Sequence, residues 1–121
     1  MGGLSFNGEL LQFLQQSPTP FHAVSNLALK LEANGFRQLD ENDHWVIEKE
    51  SSYFVIRNNS ALVAFTTGQK DLIANGLRLT GAHTDSPCLK IKPKPEIQKH
   101  GYLQLGVEVY GGALLFPWFD R

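Results

Sequence analysis

This 121-residue sequence has one cysteine and almost no surplus of charge of either sign. A single cysteine excludes an internal disulfide, and a net charge of −1 excludes the basic surplus that nucleic-acid binding requires. Neither a signal peptide nor an apolar run long enough to cross a membrane is recognisable. We therefore expect a cytoplasmic protein with neither a nucleic acid nor a membrane as partner.

The rest of the composition is that of a globular domain, with 42% hydrophobic and 19% charged residues. The length suffices for one ordinary domain with a hydrophobic core. Four lysines between positions 90 and 99 form a local basic stretch, but Glu96 interrupts it and no aromatic ladder accompanies it. We interpret these lysines as protection of an exposed strand edge.

Two amphipathic helices are predicted in the first third of the chain. The first begins near Glu9, with Asn7 as its N-cap, and has leucines and a phenylalanine on one face and glutamines on the other. The second runs from about residue 20 to residue 34, with Thr19 as N-cap, proline at the first position and Gly35 as its left-handed stop. Such a pair of helices needs a sheet to cover.

The next segments are rich in β-branched and aromatic residues and predict that sheet. Residues 53–57 and 61–65 form a hairpin around the turn Asn58-Asn59, and their near-continuous apolarity predicts burial on both faces. Shorter strands are predicted at 36–39 and 45–47, separated by an exposed acidic turn at 40–43. A final strand at 77–82 leads into a loop.

Beyond Pro87 the pattern changes to alternation of apolar and polar residues. Segments 88–92 and 101–110 alternate in this way, which predicts a half-exposed antiparallel pair. Leu103, Leu105, Val107 and Val109 would share the apolar face. The Pro-Lys-Pro stretch at 93–95 is a candidate linker or domain boundary.

The strongest chemical signal lies in the loop that follows the strand at 77–82, where His83 and Asp85 are separated by one residue. Ligands gather at the carboxyl ends of strands, and residues i and i+2 of an extended segment face the same side. A carboxylate is a common partner for the second ring nitrogen of a metal-bound histidine. The alternative is a surface histidine beside a helix-capping aspartate, since a His-x-Asp motif arises often by chance.

The other possible ligands fit a metal site less well. A hydrolytic zinc site needs at least three protein ligands, and His22, His44 and His100 lack partners at metal-binding spacing. We expect His22 to pack at or cap a helix end. Cys88 could be a nucleophile or a zinc ligand, but a small buried residue on a strand is the interpretation we favour.

Several separated segments resemble the M18 family of zinc aminopeptidases, the aspartyl aminopeptidases. They are SPTPFHAV at 17–24, the Gly-Phe pair at 35–36, GAHTDSPCLKIKP at 81–93, GYLQLGVEVYGG at 101–112 and WFDR at 118–121. Residues 115–117, Leu-Phe-Pro, depart from the Trp-His-x that precedes WFDR in many eukaryotic relatives, so the resemblance is to the bacterial type.

The resemblance implies an α/β fold, with residues 1–92 as the N-terminal part of a layered peptidase domain and 93–121 as the start of an inserted β-rich assembly domain. It implies that His83 binds zinc directly and that Asp85 accepts a hydrogen bond from its imidazole. In the complete enzyme two zinc ions would activate water for attack on the first peptide bond, with a glutamate as general base. The general base and the remaining ligands would lie beyond residue 121.

We therefore expect an inactive fragment of an aminopeptidase that removes N-terminal, by family preference acidic, residues from peptides and assembles as a homo-oligomer. The apolar ending at 112–119 favours truncation within folded structure. The alternative is a non-catalytic module that uses its exposed strand at 103–110 for oligomerisation. A mononuclear zinc site built from His83 and histidines of neighbouring subunits is a third possibility, which nothing in the ligand spacing supports.

Overall fold

A computed structural model describes residues 5–70, 72–112 and 114–116. The chain divides into two compact units, the first ending at Thr84 and the second beginning at Asp85. The described residues form both α-helices and β-strands, which confirms the predicted α/β class. The WFDR segment at 118–121 lies outside the described residues.

The two predicted helices of the first unit are present. Helix α1 spans Phe6–Gln16 and helix α2 spans Pro20–Ala33. Asn7 is not the N-cap of α1, because Ser5 takes that position and its hydroxyl accepts a hydrogen bond from the Gly8 amide. The cap lies two residues earlier than predicted because the helix begins before its first apolar cluster.

The ends of α2 follow the sequence signals. Thr19 is the N-cap and Pro20 the first helical residue. Asn34 ends the helix, and Gly35 follows with φ +82°, a conformation that glycine adopts without steric cost. This left-handed residue turns the chain directly into the first strand.

The sheet of the first unit is mixed and has the order β1-β2-β3. Strand β1 (Arg37–Leu39) pairs parallel with β2 (Ser52–Arg57), which pairs antiparallel with β3 (Ala61–Thr66). The β2–β3 connection contains Asn58 and Asn59, both at positive φ. Asparagine tolerates this conformation, and the predicted hairpin is confirmed.

The core of the first unit sits on β2. Three consecutive residues of this strand, Tyr53, Phe54 and Val55, are buried together with Ala23 and Val24 of α2. Successive strand residues point to opposite faces, so both faces of β2 are covered, as predicted. The same prediction is wrong for β3, an edge strand in which Val63 is 64% exposed.

Residues 45–47 do not form the predicted strand. Trp45 stacks on Phe65 with ring centres 6.5 Å apart, and its indole nitrogen donates to the Asp40 carbonyl over 2.6 Å. Trp45 therefore packs its ring against the sheet, while Val46 is 77% exposed. Sequence alternation cannot distinguish such a covering segment from a paired strand.

The predicted strand at 77–82 is also wrong. These residues have no assigned regular structure, and Leu77 and Leu79 are 67% and 86% exposed. A short helix, α3 (Leu72–Asn75), precedes them. An apolar run becomes a strand only beside a partner that takes its ladder hydrogen bonds, and the described residues provide none for it.

The second unit is an antiparallel hairpin of β4 (Cys88–Lys99) and β5 (Tyr102–Tyr110). His100 and Gly101 form the turn, both with positive φ, which suits a tight two-residue hairpin connection. The antiparallel pairing is confirmed. The predicted burial of one face is not observed: Leu103, Leu105, Val107 and Val109 are 39–74% exposed.

The Pro-Lys-Pro stretch at 93–95 is not a linker. It lies inside β4, where the pairing shifts between Ile91, opposite Val107, and Glu96, opposite Leu105. Proline cannot donate to a ladder, so it is accommodated where the strand bulges. A Cβ at the facing Gly106 would lie 3.3 Å from the Ile97 side chain, so glycine admits the bulged strand.

Tyr53 connects the sheet to its covering segment and provides a test of this packing. Its hydroxyl accepts hydrogen bonds from the Glu48 amide at 3.0 Å and from Arg37 Nη2 at 2.7 Å. Tyr53→Phe is expected to lower the free energy of unfolding by about 1 kcal/mol, because the Glu48 amide loses its acceptor. Urea unfolding of the 121-residue chain measures this change.

Tyr102→Phe is the matched control, because Tyr102 is 70% exposed. Equal stability of the two variants would contradict the proposed role of the Tyr53 hydroxyl.

Candidate functional site

The two predicted site residues lie on either side of the division between the units. His83 is in the last part of the first unit, is exposed and has no assigned regular structure. Asp85 opens the second unit and is half-buried.

The backbone next to His83 is attached to the first unit by Thr84. The Thr84 hydroxyl donates a 2.8 Å hydrogen bond to the carbonyl of Ser60, in the turn between β2 and β3. This contact is part-buried and joins residues far apart in the sequence. The loop that carries His83 is thus held to the sheet even though residues 77–82 form no strand.

Asp85 is held within the second unit by Tyr110, the last residue of β5. The phenol of Tyr110 donates a hydrogen bond of 3.0 Å to Oδ2 of Asp85. The Lys90 ammonium lies 5.1 Å from the centre of the Tyr110 ring, a cation–π distance. The sequence suggested no role for Tyr110, because a tyrosine at a strand end is ordinary in β structure.

The hydrogen bond to Asp85 raises the pKa of Tyr110 above its ordinary value of 10.0, and the carboxylate charge, partial burial and Cys88 act in the same direction. A raised pKa means that the folded protein holds the phenol proton more tightly than the unfolded chain does. The contribution to stability is present below pH about 10 and is lost only as the pH rises through the folded pKa. Tyr110 therefore remains a hydrogen-bond donor at neutral pH.

The other histidines and the cysteine considered as possible metal ligands lie elsewhere in the fold. His22 lies in the first turn of α2, with Nδ1 2.8 Å from the hydroxyl of the N-cap Thr19, so it packs at a helix end, as predicted. His100 lies in the hairpin turn and His44 beside the acidic turn, both exposed. Cys88 lies on a strand, as expected, but is half-buried and pairs with Tyr110 in the ladder.

In the part of the chain that the structure describes, no group of three or more histidine, cysteine, aspartate or glutamate side chains is arranged to hold a metal ion. The imidazole of His83 and the oriented carboxylate of Asp85 have the donor chemistry that zinc sites use. Two such residues are fewer than a hydrolytic zinc centre requires. Among the described helices, none has the length and apolarity needed to cross a membrane.

Comparison with known proteins gives consistent matches along nearly the whole chain. The family model described as "Aminopeptidase I zinc metalloprotease (M18)" matches residues 13–121. A probable M18 family aminopeptidase 2 of Ectopseudomonas mendocina is 60% identical over 112 residues, which are 93% of this chain and 26% of that protein. The Pseudomonas putida protein of the same name is 56% identical over 117 residues, which are 97% of this chain and 27% of that protein.

Solved structures agree with this assignment. A chain from the cryo-EM structure of the Ape4 and Nbr1 complex superposes with a TM-score of 0.83 and 48% identity, covering 93% of this chain and 22% of that one. The S. cerevisiae mApe1 dodecamer gives a TM-score of 0.80 at 32% identity, covering 93% and 27%. The chain spans about a quarter of the length of the relatives it matches.

The matched region includes the end of α1, the whole of α2, the mixed sheet, the hairpin and the loop that contains His83 and Asp85. A match of this extent to one family model, supported by sequence relatives and by solved structures, identifies the family. The chain belongs to the M18 family of aminopeptidase I zinc metalloproteases.

Proposed function

We propose that the full-length protein is a zinc aminopeptidase that removes N-terminal residues, with a preference for acidic ones, from peptides. The observation that carries this proposal is the family match over residues 13–121, which contains His83 and Asp85. Zinc, when bound, supplies a Lewis acid and an activated water. A site with two zinc ions, as the family resemblance implies, is part of the proposal.

Within this site we assign His83 as a zinc ligand and Asp85 as the residue that orients it. An imidazole bound to zinc through one nitrogen keeps an N–H on the other, and a carboxylate that accepts this hydrogen bond fixes the ring and strengthens the ligand. The support for Asp85 in this role is that its carboxylate is already oriented by Tyr110. The support for His83 is the attachment of its loop through Thr84.

The assignment of residues to two domains is part of the same proposal. Residues 1–92 would form the N-terminal part of the catalytic domain, and 93–121 the start of a β-rich domain used in homo-oligomer assembly. One structural relative is a dodecamer, which supports assembly as a property of the full-length protein. The single cysteine suits a reducing compartment, and we propose the cytoplasm.

A non-catalytic role in oligomerisation is the second candidate function. It is favoured by the exposed apolar side chains of β5, of which Leu103 is 74% and Leu105 60% exposed. A protein that oligomerises through this strand but lacks metal-dependent peptidase activity at full length would fit this candidate and exclude the first.

The 121-residue chain alone is expected to be inactive on aminoacyl substrates and to bind zinc weakly, because His83 and Asp85 cannot complete a hydrolytic zinc site. Calorimetric titration of zinc into the metal-free chain, followed by an aminopeptidase assay with zinc present, measures both properties. His83→Ala of the same chain is the control for nonspecific metal binding. Tight stoichiometric binding or metal-dependent turnover by the chain would refute this expectation.

A further inference from the structure

Tyr110 lies where the open end of the hairpin meets the loop that carries Asp85. It is the last residue of β5 and pairs with Cys88, the first residue of β4. Gly111 follows with φ +70°, and a Cβ at this position would lie 3.6 Å from Pro87. The segment between Asp85 and β4 is therefore in contact with the chain that leaves β5.

The hydrogen bond from Tyr110 to Asp85 adds a directional constraint to this contact. The terminal torsion of an aspartate is broad, so a carboxylate without a fixed partner rotates over a wide range. The phenol of Tyr110 engages Oδ2 at 3.0 Å and adds no charge of its own at neutral pH. It therefore restrains the rotation of the Asp85 carboxylate through one of its oxygens.

The ring of Tyr110 has its own restraint. The Lys90 ammonium lies 5.1 Å from the ring centre, and the ladder pairing with Cys88 sets the position of the backbone. Both restraints remain if tyrosine is replaced by phenylalanine, since they depend on the ring and the main chain. Only the hydrogen bond to Asp85 depends on the hydroxyl.

We propose that Tyr110 is a positioning residue of the aminopeptidase site, which restrains the carboxylate of Asp85, the residue assigned above to orient His83. This inference rests on the proposed function, in which His83 binds zinc and Asp85 orients it. The proposal assigns Tyr110 no direct contact with metal or substrate. Its effect reaches the metal through Asp85 and then through His83.

The test compares Tyr110→Phe with wild type in the full-length protein. The readouts are zinc affinity, measured by competition with a chelator, and kcat and KM on an aspartyl p-nitroanilide. We expect zinc affinity or kcat to fall by up to about 10-fold, the lower end of the range for residues that orient metal ligands. The KM is expected to stay unchanged because Tyr110 makes no substrate contact.

Two further variants distinguish the positioning of Asp85 by Tyr110 from a general disturbance of the hairpin structure. Tyr102→Phe changes an exposed tyrosine at the opposite end of β5 and is expected to leave zinc affinity and kcat unchanged. In an Asp85→Ala background, Tyr110→Phe should cause no additional loss, because the two residues act on the same hydrogen bond.

The outcomes distinguish this inference from the function on which it rests. If Asp85→Asn weakens zinc binding while Tyr110→Phe behaves as wild type, the proposed site stands and the role of Tyr110 is refuted. A loss from Tyr110→Phe that persists in the Asp85→Ala background, or an equal loss from Tyr102→Phe, also refutes it. If Asp85→Asn has no effect, the assigned role of Asp85 fails and that of Tyr110 fails with it.

Discussion

Replacing His83 with alanine in the full-length protein is expected to remove zinc and peptidase activity together. A ligand that bonds directly to the metal contributes more than a residue that only orients one. The expected loss therefore exceeds about 100-fold in zinc affinity and in kcat/KM, the upper end of the range for orienting residues. Metal analysis of the purified variant and steady-state kinetics measure the two losses in parallel.

His44→Ala is the matched control for this experiment. His44 is an exposed histidine of the same chain, beside the acidic turn at residues 40–43. Its replacement removes an imidazole without touching the proposed site, so zinc content and activity should remain those of wild type. If His83→Ala retains full zinc content, His83 is not a ligand and the proposed site is wrong.

Replacing Asp85 with asparagine is expected to weaken zinc affinity or turnover by about 10–100-fold. The amide has nearly the same shape as the carboxylate but carries no negative charge, and it can present a donor where the imidazole N–H needs an acceptor. The effect should be smaller than that of His83→Ala because the metal ligand itself remains. Chelator competition and kinetics on the full-length variant give its size.

Asp43→Asn is the control for the effect of losing one negative charge from the protein. Asp43 is exposed in the acidic turn, so this substitution changes the net charge by the same amount as Asp85→Asn. It should leave zinc binding and turnover unaltered. Unchanged zinc affinity and turnover in Asp85→Asn would remove the proposed role of Asp85.

Local sequence signals predicted the elements that depend on local chemistry. Thr19 and Pro20 begin α2, and Gly35 turns the chain just after its end, because capping and left-handed backbone are properties of a few adjacent residues. The β2–β3 hairpin follows from two β-rich segments around Asn58 and Asn59 for the same reason. These features need no information from distant parts of the chain.

Apart from the N-cap of α1, which lies at Ser5 and not at Asn7, the wrong predictions depend on what a segment meets in space. The segments at 45–47 and 77–82 have the composition of strands, but a strand exists only where a neighbour completes its ladder. The 93–95 segment has the composition of a linker, yet it lies in β4 because Gly106 leaves room for a bulge opposite it.

For the candidate site, the sequence by itself determined the residue types, since the spacing of His83 and Asp85 and the surrounding motif are local and family-specific. Tertiary structure alone decided which residues hold them. Thr84 reaches Ser60 and Tyr110 reaches Asp85, each pair joining residues more than twenty positions apart in the chain. No local pattern encodes such pairs, because a side-chain hydrogen bond depends on distances that are established only when the sheet and the hairpin have formed.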